Sequence, residues 1–123
     1  MRIDVVFGGA AFAPFDVTGR LVAVIDVLRA SSTIAAALAN GARAVIPLEN
    51  SDDVVRTAKA FERTDVRLAG ERKMLPIPGF DLGNSPAEFT PERVAGKTVV
   101  FTTTNGTRAM QRCKQARRVL IAA

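Results

Sequence analysis

The 123-residue chain contains no histidine, no tyrosine, no tryptophan and a single cysteine. Without histidine, this segment has no histidine nucleophile, no Ser-His-Asp triad and no histidine-bound zinc. Cys113 has no partner for an internal disulfide, which fits a reducing compartment. It falls within a predicted helix rather than at the end of a strand, so we do not expect it to act as a nucleophile.

Long apolar runs are also missing from the sequence. No run approaches the roughly 20 residues that span a bilayer, and the amino terminus is typical of a strand rather than a signal peptide. We therefore expect a soluble, cytoplasmic protein that does not bind membranes. The composition is 48% hydrophobic and 24% charged, which predicts one compact globular domain over residues 1–123.

Positive charge is in moderate excess. Lysine and arginine number 17 against 12 acidic residues, a formal net charge of +5, which makes nucleic-acid binding one hypothesis. The basic residues are scattered, however, and neither tyrosine nor tryptophan is present to stack on bases. The sequence favours a small anionic substrate and no nucleic-acid partner.

Short β-rich runs alternate with helical ones along the chain. The predicted strands are residues 2–7, 21–26, 44–47, 66–69, 98–101 and 119–123. The predicted helices begin at Ser31 or Ser32, at Ser51 and near Asn105, and end near residues 40, 63 and 114. This alternation predicts an α/β fold, a layered open sheet with helices on its faces.

Two loops and the end of the chain complete the prediction. Residues 8–19 read as a loop, and residues 70–91 as a long loop with one helical turn beginning at Thr90-Pro91. A loop this long inside a compact domain is more often functional than accidental. Because the apolar run 119–123 has no following helix, we expect the amino-terminal part of a longer protein, truncated at its carboxyl end.

Three segments rich in hydroxyl groups and glycine each follow an apolar run. They are residues 26–33 (DVLRASST), 79–86 (GFDLGNSP) and 102–108 (TTTNGTR). In an open α/β sheet such segments gather at the carboxyl ends of strands, where amides, hydroxyls, an acid and arginines converge on one ligand. The grouping predicts a phosphate-handling pocket.

In the first segment, Asp26 ends an apolar strand. Its carboxylate is placed there either to bind Mg²⁺ or to attack phosphorus, unless it only bonds to nearby loop amides. Arg29 is suited to bidentate pairing with phosphate, sulfonate or carboxylate. The hydroxyls and amides of Ser31, Ser32 and Thr33 lie at a helix start that favours an anion, although capping alone would explain one of them.

The second segment and the residues before it supply further candidates. Glu71 and Arg72 follow a predicted strand, but adjacent opposite charges are common on surfaces. Asp81, Asn84 and Ser85 are stronger candidates, because the neighbouring glycines let the backbone wrap closely around a ligand. A tight structural turn would explain Asn84 almost equally well.

The third segment is the most specific. An Asn-Gly pair directly follows a strand, and the helix after it points its amino end at whatever lies there. A cation in the first helical turn is unfavourable unless an anion sits beside it, which argues for a ligand. The candidate binding residues are Thr103, Thr104, Asn105, Gly106, Thr107 and Arg108.

Four strings together closely resemble the 2-phosphosulfolactate phosphatase family: residues 26–34 (DVLRASSTI), 68–72 (LAGER), 79–86 and 102–108. The resemblance runs in order across nearly the whole chain, and family members are longer. It implies a Mg²⁺-dependent phosphatase that hydrolyses 2-phosphosulfolactate to sulfolactate and phosphate, as in coenzyme M biosynthesis. Ser32 stands where threonine is commoner, and residues 73–76 (KMLP) replace a glycine-richer stretch.

The resemblance also implies roles for individual residues. We expect Asp26 or Asp81 to hold Mg²⁺, and Arg29, Arg72 and Arg108 to hold phosphate, sulfonate and carboxylate. The sequence leaves open whether an aspartate attacks phosphorus or activates water. It also leaves two alternative functions, a phosphatase of another small phosphorylated acid and a non-catalytic anion-binding or regulatory module. A homo-oligomer is compatible with all three.

Overall fold

The computed structural model of the protein describes residues 1–8 and 17–123. Its strands are β1 (Leu21–Ile25), β2 (Ala44–Leu48), β3 (Val66–Arg72), β4 (Leu75–Pro76), β5 (Thr98–Thr102) and β6 (Arg118–Ala122). Its α-helices are α1 (Ala30–Ala39), α2 (Ser51–Ala58), α3 (Pro91–Val94) and α4 (Gly106–Arg112). The predicted α/β class is confirmed, with the strands shared between two sheets.

The larger sheet has the strand order β2-β5-β3-β4. Strands β2, β5 and β3 are parallel, and β4 closes an antiparallel hairpin on β3. The smaller sheet pairs β1 with β6 in parallel. Because parallel strands point the same way, the carboxyl ends of β3 and β5 lie side by side, with Gly70 opposite Thr102.

The central strand β5 explains why two apolar layers form. All five of its residues are buried, as expected of a strand covered on both faces. Val99 and Phe101 join the cluster that contains α1, whereas Val100 faces the cluster that contains α2. The ring of Phe101 meets that of Phe89 edge to face, with centroids 6.4 Å apart. Helices therefore cover both faces of the larger sheet.

The structure corrects several of the predicted element boundaries. Residues 2–7 form no strand, and the apolar side chains at positions 3, 5 and 7 are exposed, because no strand pairs with this segment in the described part of the chain. Helix α1 has no side-chain cap, and Asn50 rather than Ser51 caps α2, which ends at Ala58. Strand β3 continues to Arg72.

Other expectations concern the loops and Cys113. The helical turn at Pro91 is confirmed as α3. The predicted loop over residues 8–19 lies mostly outside the described residues. Cys113 is fully buried directly after α4, and burial raises the pKa of its thiol. Within the described ranges, every helix is too short or too polar to traverse a bilayer.

Candidate functional site

A cleft of about 280 Å³ opens where β1, β3 and β5 end. All three of the hydroxyl- and glycine-rich segments contribute to its wall. The predicted residues that line it are Asp26, Arg29, Glu71, Asn84, Thr103, Thr104 and Asn105. The topology therefore brings together groups that lie up to 79 positions apart between Asp26 and Asn105.

Asp26 follows directly after β1 and is fixed by its own backbone. Its amide donates to the Ser31 hydroxyl at 2.9 Å, and the Ser31 amide donates to its carbonyl oxygen at 2.8 Å. Burial raises the pKa of the Asp26 carboxyl, the Ala30 amide opposes that shift, and the negative charge of Glu71 adds to it. The carboxylate is thus held in a place that disfavours its charge.

Gly106 allows α4 to begin directly against Asp26. A Cβ atom at position 106 would lie 2.5 Å from the Ala30 Cβ and 2.6 Å from an Asp26 carboxylate oxygen. Real Cβ atoms essentially never make contacts under 3.0 Å. Glycine is therefore required for the close approach of these segments, whatever its part in binding a ligand.

Glu71 ties the loop after β5 to the turn after β3. One carboxylate oxygen accepts from the Thr104 amide at 2.7 Å. The other accepts from the Met74 amide at 2.7 Å and from the Thr104 hydroxyl at 2.9 Å. Burial alone would raise the pKa of Glu71, but these donors and the charge of Arg72 outweigh it and hold the pKa below its ordinary value. Glu71 is a second negative charge beside Asp26.

Asn84 presents an unsatisfied acceptor. Its side chain is buried, and its Oδ1 atom has no hydrogen-bond partner in the described part of the chain. The Thr33 hydroxyl donates to the backbone carbonyl oxygen of Asn84 at 3.1 Å and so fixes the loop against α1. Buried polar atoms are nearly always paired, so an unpaired oxygen on a residue that lines the cleft marks Asn84 as a candidate ligand-binding residue.

Most of the predicted hydroxyl groups bond to the protein backbone. Thr103 and Thr107 are reciprocal: each hydroxyl accepts from the other's amide, at 3.1 and 2.9 Å. The Ser32 hydroxyl donates to the Val27 carbonyl oxygen at 2.6 Å. Ser85 forms a capping box with Glu88. These side chains shape the loops of the cleft, and their contact with substrate stays a prediction.

Arg72 and Arg108 lie away from the cleft wall. Arg72 donates to the Thr102 hydroxyl and to the Glu49 carbonyl oxygen, both at 2.6 Å, and Arg108 is 3.4 Å from the Glu49 carboxylate. Since β3 continues to Arg72, the alternation of side chains along a strand sends Glu71 to the cleft and its neighbour to the other side. Their grouping with Asp26 was expected and is not found.

Asp81 also lies outside the cleft wall. Its carboxylate pairs with the Arg63 guanidinium and accepts from the Leu68 amide at 2.8 Å. The loop that carries it runs back along β3, where Leu82 bridges to Ala69. This course takes Asp81 toward the middle of the strand, so it is not placed with Asp26 to share a metal ion.

Lys73 and Met74 line the cleft although the sequence did not single them out as site residues. The usable signal was their position directly after Glu71-Arg72, in the stretch that departs from the family pattern. Neither the Arg29 guanidinium nor the Lys73 ammonium group has an ion pair or hydrogen bond among the described residues. The cleft therefore carries two acids and two unpaired cations.

The oxygen donors fit a hard cation. Mg²⁺ is usually held by one or two carboxylates together with waters and substrate phosphate oxygens. Asp26, Glu71 and Asn84, whose side chains carry oxygen donors of that kind, line one cleft. Over residues 1–8 and 17–123, no group of three or more His, Cys, Asp or Glu side chains could hold a metal ion by itself.

Comparison with known proteins decides the family. The model of the family described as 2-phosphosulpholactate phosphatase matches residues 12–123. The chain belongs to this family. The match covers all three segments that meet at the cleft, so the resemblance carried by the motifs is confirmed.

Curated relatives agree with this family. Proteins named probable 2-phosphosulfolactate phosphatase are 49% identical in Caldanaerobacter subterraneus subsp. tengcongensis and in Symbiobacterium thermophilum. These alignments cover 86% and 87% of this chain but 44% and 46% of the relatives. A protein of the same name from Clostridium botulinum is 42% identical over 100% of this chain and 52% of its own length. The chain spans about half the length of the 2-phosphosulfolactate phosphatases it matches.

Proposed function

We propose that this protein is a phosphoric monoester hydrolase that converts 2-phosphosulfolactate to sulfolactate and phosphate with the help of Mg²⁺, as a step in coenzyme M biosynthesis. The observation that carries the proposal is the meeting of Asp26, Arg29 and Asn84 in one cleft. Family membership and the names of the relatives support the same reaction.

The cation would be held by Asp26 and the Asn84 amide oxygen, with Glu71 adding negative charge nearby. When bound, Mg²⁺ offsets charge on the phosphoryl oxygens. The raised pKa of Asp26 supports this assignment, because burial and, to a smaller extent, the negative charge of Glu71 disfavour the ionised carboxylate, and a bound cation would favour it. Nearby, the unpaired Arg29 guanidinium is suited to hold two phosphoryl oxygens.

Hydrolysis transfers the phosphoryl group from the ester oxygen to water. The P–O bond to sulfolactate breaks, a P–O bond to the water oxygen forms, and one proton of that water ends on the leaving alkoxide. Positioning and charge stabilisation supply most of the catalysis in such reactions. Attack by the Asp26 carboxylate itself is the competing route, and it predicts a phosphoryl-enzyme detectable by mass spectrometry after acid quenching.

The first test is the variant Asp26→Asn. We expect phosphate release from 2-phosphosulfolactate to require Mg²⁺ in the wild type and to fall by about a thousandfold or more in the variant, since it loses the charged group at the reacting centre. Asp65→Asn is the matched control, because Asp65 is exposed and precedes β3 at the opposite end from the cleft. Near-normal turnover by Asp26→Asn would refute the assignment.

Two other results would redirect the functional assignment. Turnover of a different small phosphorylated acid, with the same dependence on Asp26, would keep the reaction class and change the substrate. Phosphate binding without turnover of any ester would support the non-catalytic anion-binding alternative. A screen of small phosphate monoesters together with a phosphate titration separates these outcomes.

A further inference from the structure

We propose that Lys73 determines substrate specificity by binding the second anionic group, a sulfonate or carboxylate, of the phosphate ester in the cleft. This inference rests on the proposed function and extends it to a residue outside the predicted set. It concerns substrate choice rather than the chemical step.

Lys73 occupies a tight turn at the cleft wall. Lys73 and Met74 join β3 to β4, between the pairs Arg72 with Leu75 and Glu71 with Pro76. Both turn residues are left-handed, with φ values of 50° and 67°. Such values suit a two-residue hairpin but are uncommon for residues other than glycine, asparagine and aspartate. The chain thus places a long cationic side chain in a turn that usually carries a small residue.

The turn is bonded to the loop after β5. The Lys73 amide donates to the Thr104 hydroxyl at 3.1 Å, and the Met74 amide donates to Glu71 at 2.7 Å. Glu71 in turn accepts from the Thr104 amide. Because these bonds use the backbone of the turn, they fix where the Lys73 side chain leaves the chain and leave its ammonium group unoccupied.

The two cations of the cleft come from different segments, so each can pair with a different anionic group of a substrate. Arg29 lies in the same loop as Asp26, whereas Lys73 comes from the β3–β4 turn. Neither cation is neutralised by an ion pair in the described chain, in contrast to Arg108, which faces Glu49. Two cations that come from different segments and have no ion pair can each pair with one negative group of a substrate. A phosphate at Arg29 leaves Lys73 for the remaining acid.

The test compares Lys73→Gln with Lys73→Arg, which keeps the charge, and with Lys114→Gln, which removes a charge from an exposed lysine outside the cleft wall. Steady-state kinetics are measured with 2-phosphosulfolactate and with phenyl phosphate, which has no second acid. We expect Lys73→Gln to raise KM for 2-phosphosulfolactate about tenfold with little change in kcat, as loss of one charge-assisted contact predicts. Phenyl phosphate turnover should stay unchanged.

Calorimetric titrations separate this inference from the proposed function. Sulfolactate and inorganic phosphate are titrated into each protein. If Lys73→Gln weakens sulfolactate binding about tenfold and leaves phosphate binding intact, the inference holds even where turnover is absent and the proposed function fails. Equal affinity for sulfolactate in wild type and Lys73→Gln, no rescue by Lys73→Arg, or an equal loss with both esters would overturn it.

Discussion

At the residue scale, Gly106 brings two segments closer together than any other residue type allows. Its Cα faces both Ala30 and the Asp26 carboxylate. The sequence pointed to Gly106 because an Asn-Gly pair follows a strand. The position needs the absence of a side chain rather than a left-handed backbone, since Gly106 is not among the glycines with positive φ.

Gly106→Ala should lower the free energy of unfolding, although helix propensity alone predicts an increase. Helix propensity alone would stabilise the protein by up to about 1 kcal/mol, because Gly106 is the first residue of α4. The contacts at 2.5 and 2.6 Å instead demand movement of Asp26 and Ala30. We expect a net loss of about 1–3 kcal/mol in the free energy of unfolding, measured by urea denaturation.

A second variant identifies the cause of that loss. Adding Ala30→Gly to Gly106→Ala removes the closer of the two contacts. If the clash is responsible, the double variant should be more stable than the sum of the two single changes predicts. Strict additivity would show that the loss arises elsewhere.

At the element scale, the alternation of side chains along β3 decides which charges enter the cleft. Glu71 and Arg72 are adjacent in sequence, yet one holds the Thr104 loop and the other donates to Thr102 and Glu49. Sequence analysis ended this strand at residue 69 and so treated both as loop residues at one site. A strand that continues through them gives them opposite directions.

Glu71→Gln tests whether Glu71 stabilises the fold by bonding the β3–β4 turn to the loop after β5. The glutamine side chain keeps one acceptor oxygen and has an NH2 donor in place of the other, so in either orientation the amide of Met74 or of Thr104 loses its acceptor. An unpaired buried amide costs about 1–3 kcal/mol, so we expect the free energy of unfolding to fall by about 2 kcal/mol. Chemical denaturation measures the change, with the exposed Glu62→Gln as control. A difference under about 0.5 kcal/mol would contradict the bracing role.

At the scale of the whole molecule, the two cleft acids respond to pH in opposite directions. The folded-state pKa of Asp26 is raised, so its contribution to stability is present at acid pH and is lost as pH rises through that pKa. The pKa of Glu71 is lowered, so its contribution is present at neutral pH and is lost as pH falls through its folded-state value. The cleft therefore opposes acid unfolding through Glu71 and not through Asp26.

This difference predicts the stability of Asp26→Asn. Without Mg²⁺ at neutral pH, the variant should have a higher Tm than the wild type, because it removes a charge that the fold disfavours. At pH 3 the gain should vanish. Adding Mg²⁺ should raise the Tm of the wild type and leave that of the variant unchanged. A neutral-pH Tm at or below that of the wild type would contradict the assigned pKa direction.

The sequence by itself determined the α/β class, the buried central strand, the family and the three segments of the cleft, because these depend on local periodicity and on residues close together along the chain. Only the tertiary structure decided which side chains face one another. Lys73 lines the cleft because it lies in the β3–β4 hairpin turn, whereas Asp81 lies outside the cleft because its loop runs back along β3. Distances between segments far apart in sequence are fixed by sheet register and packing, which single-residue patterns do not encode.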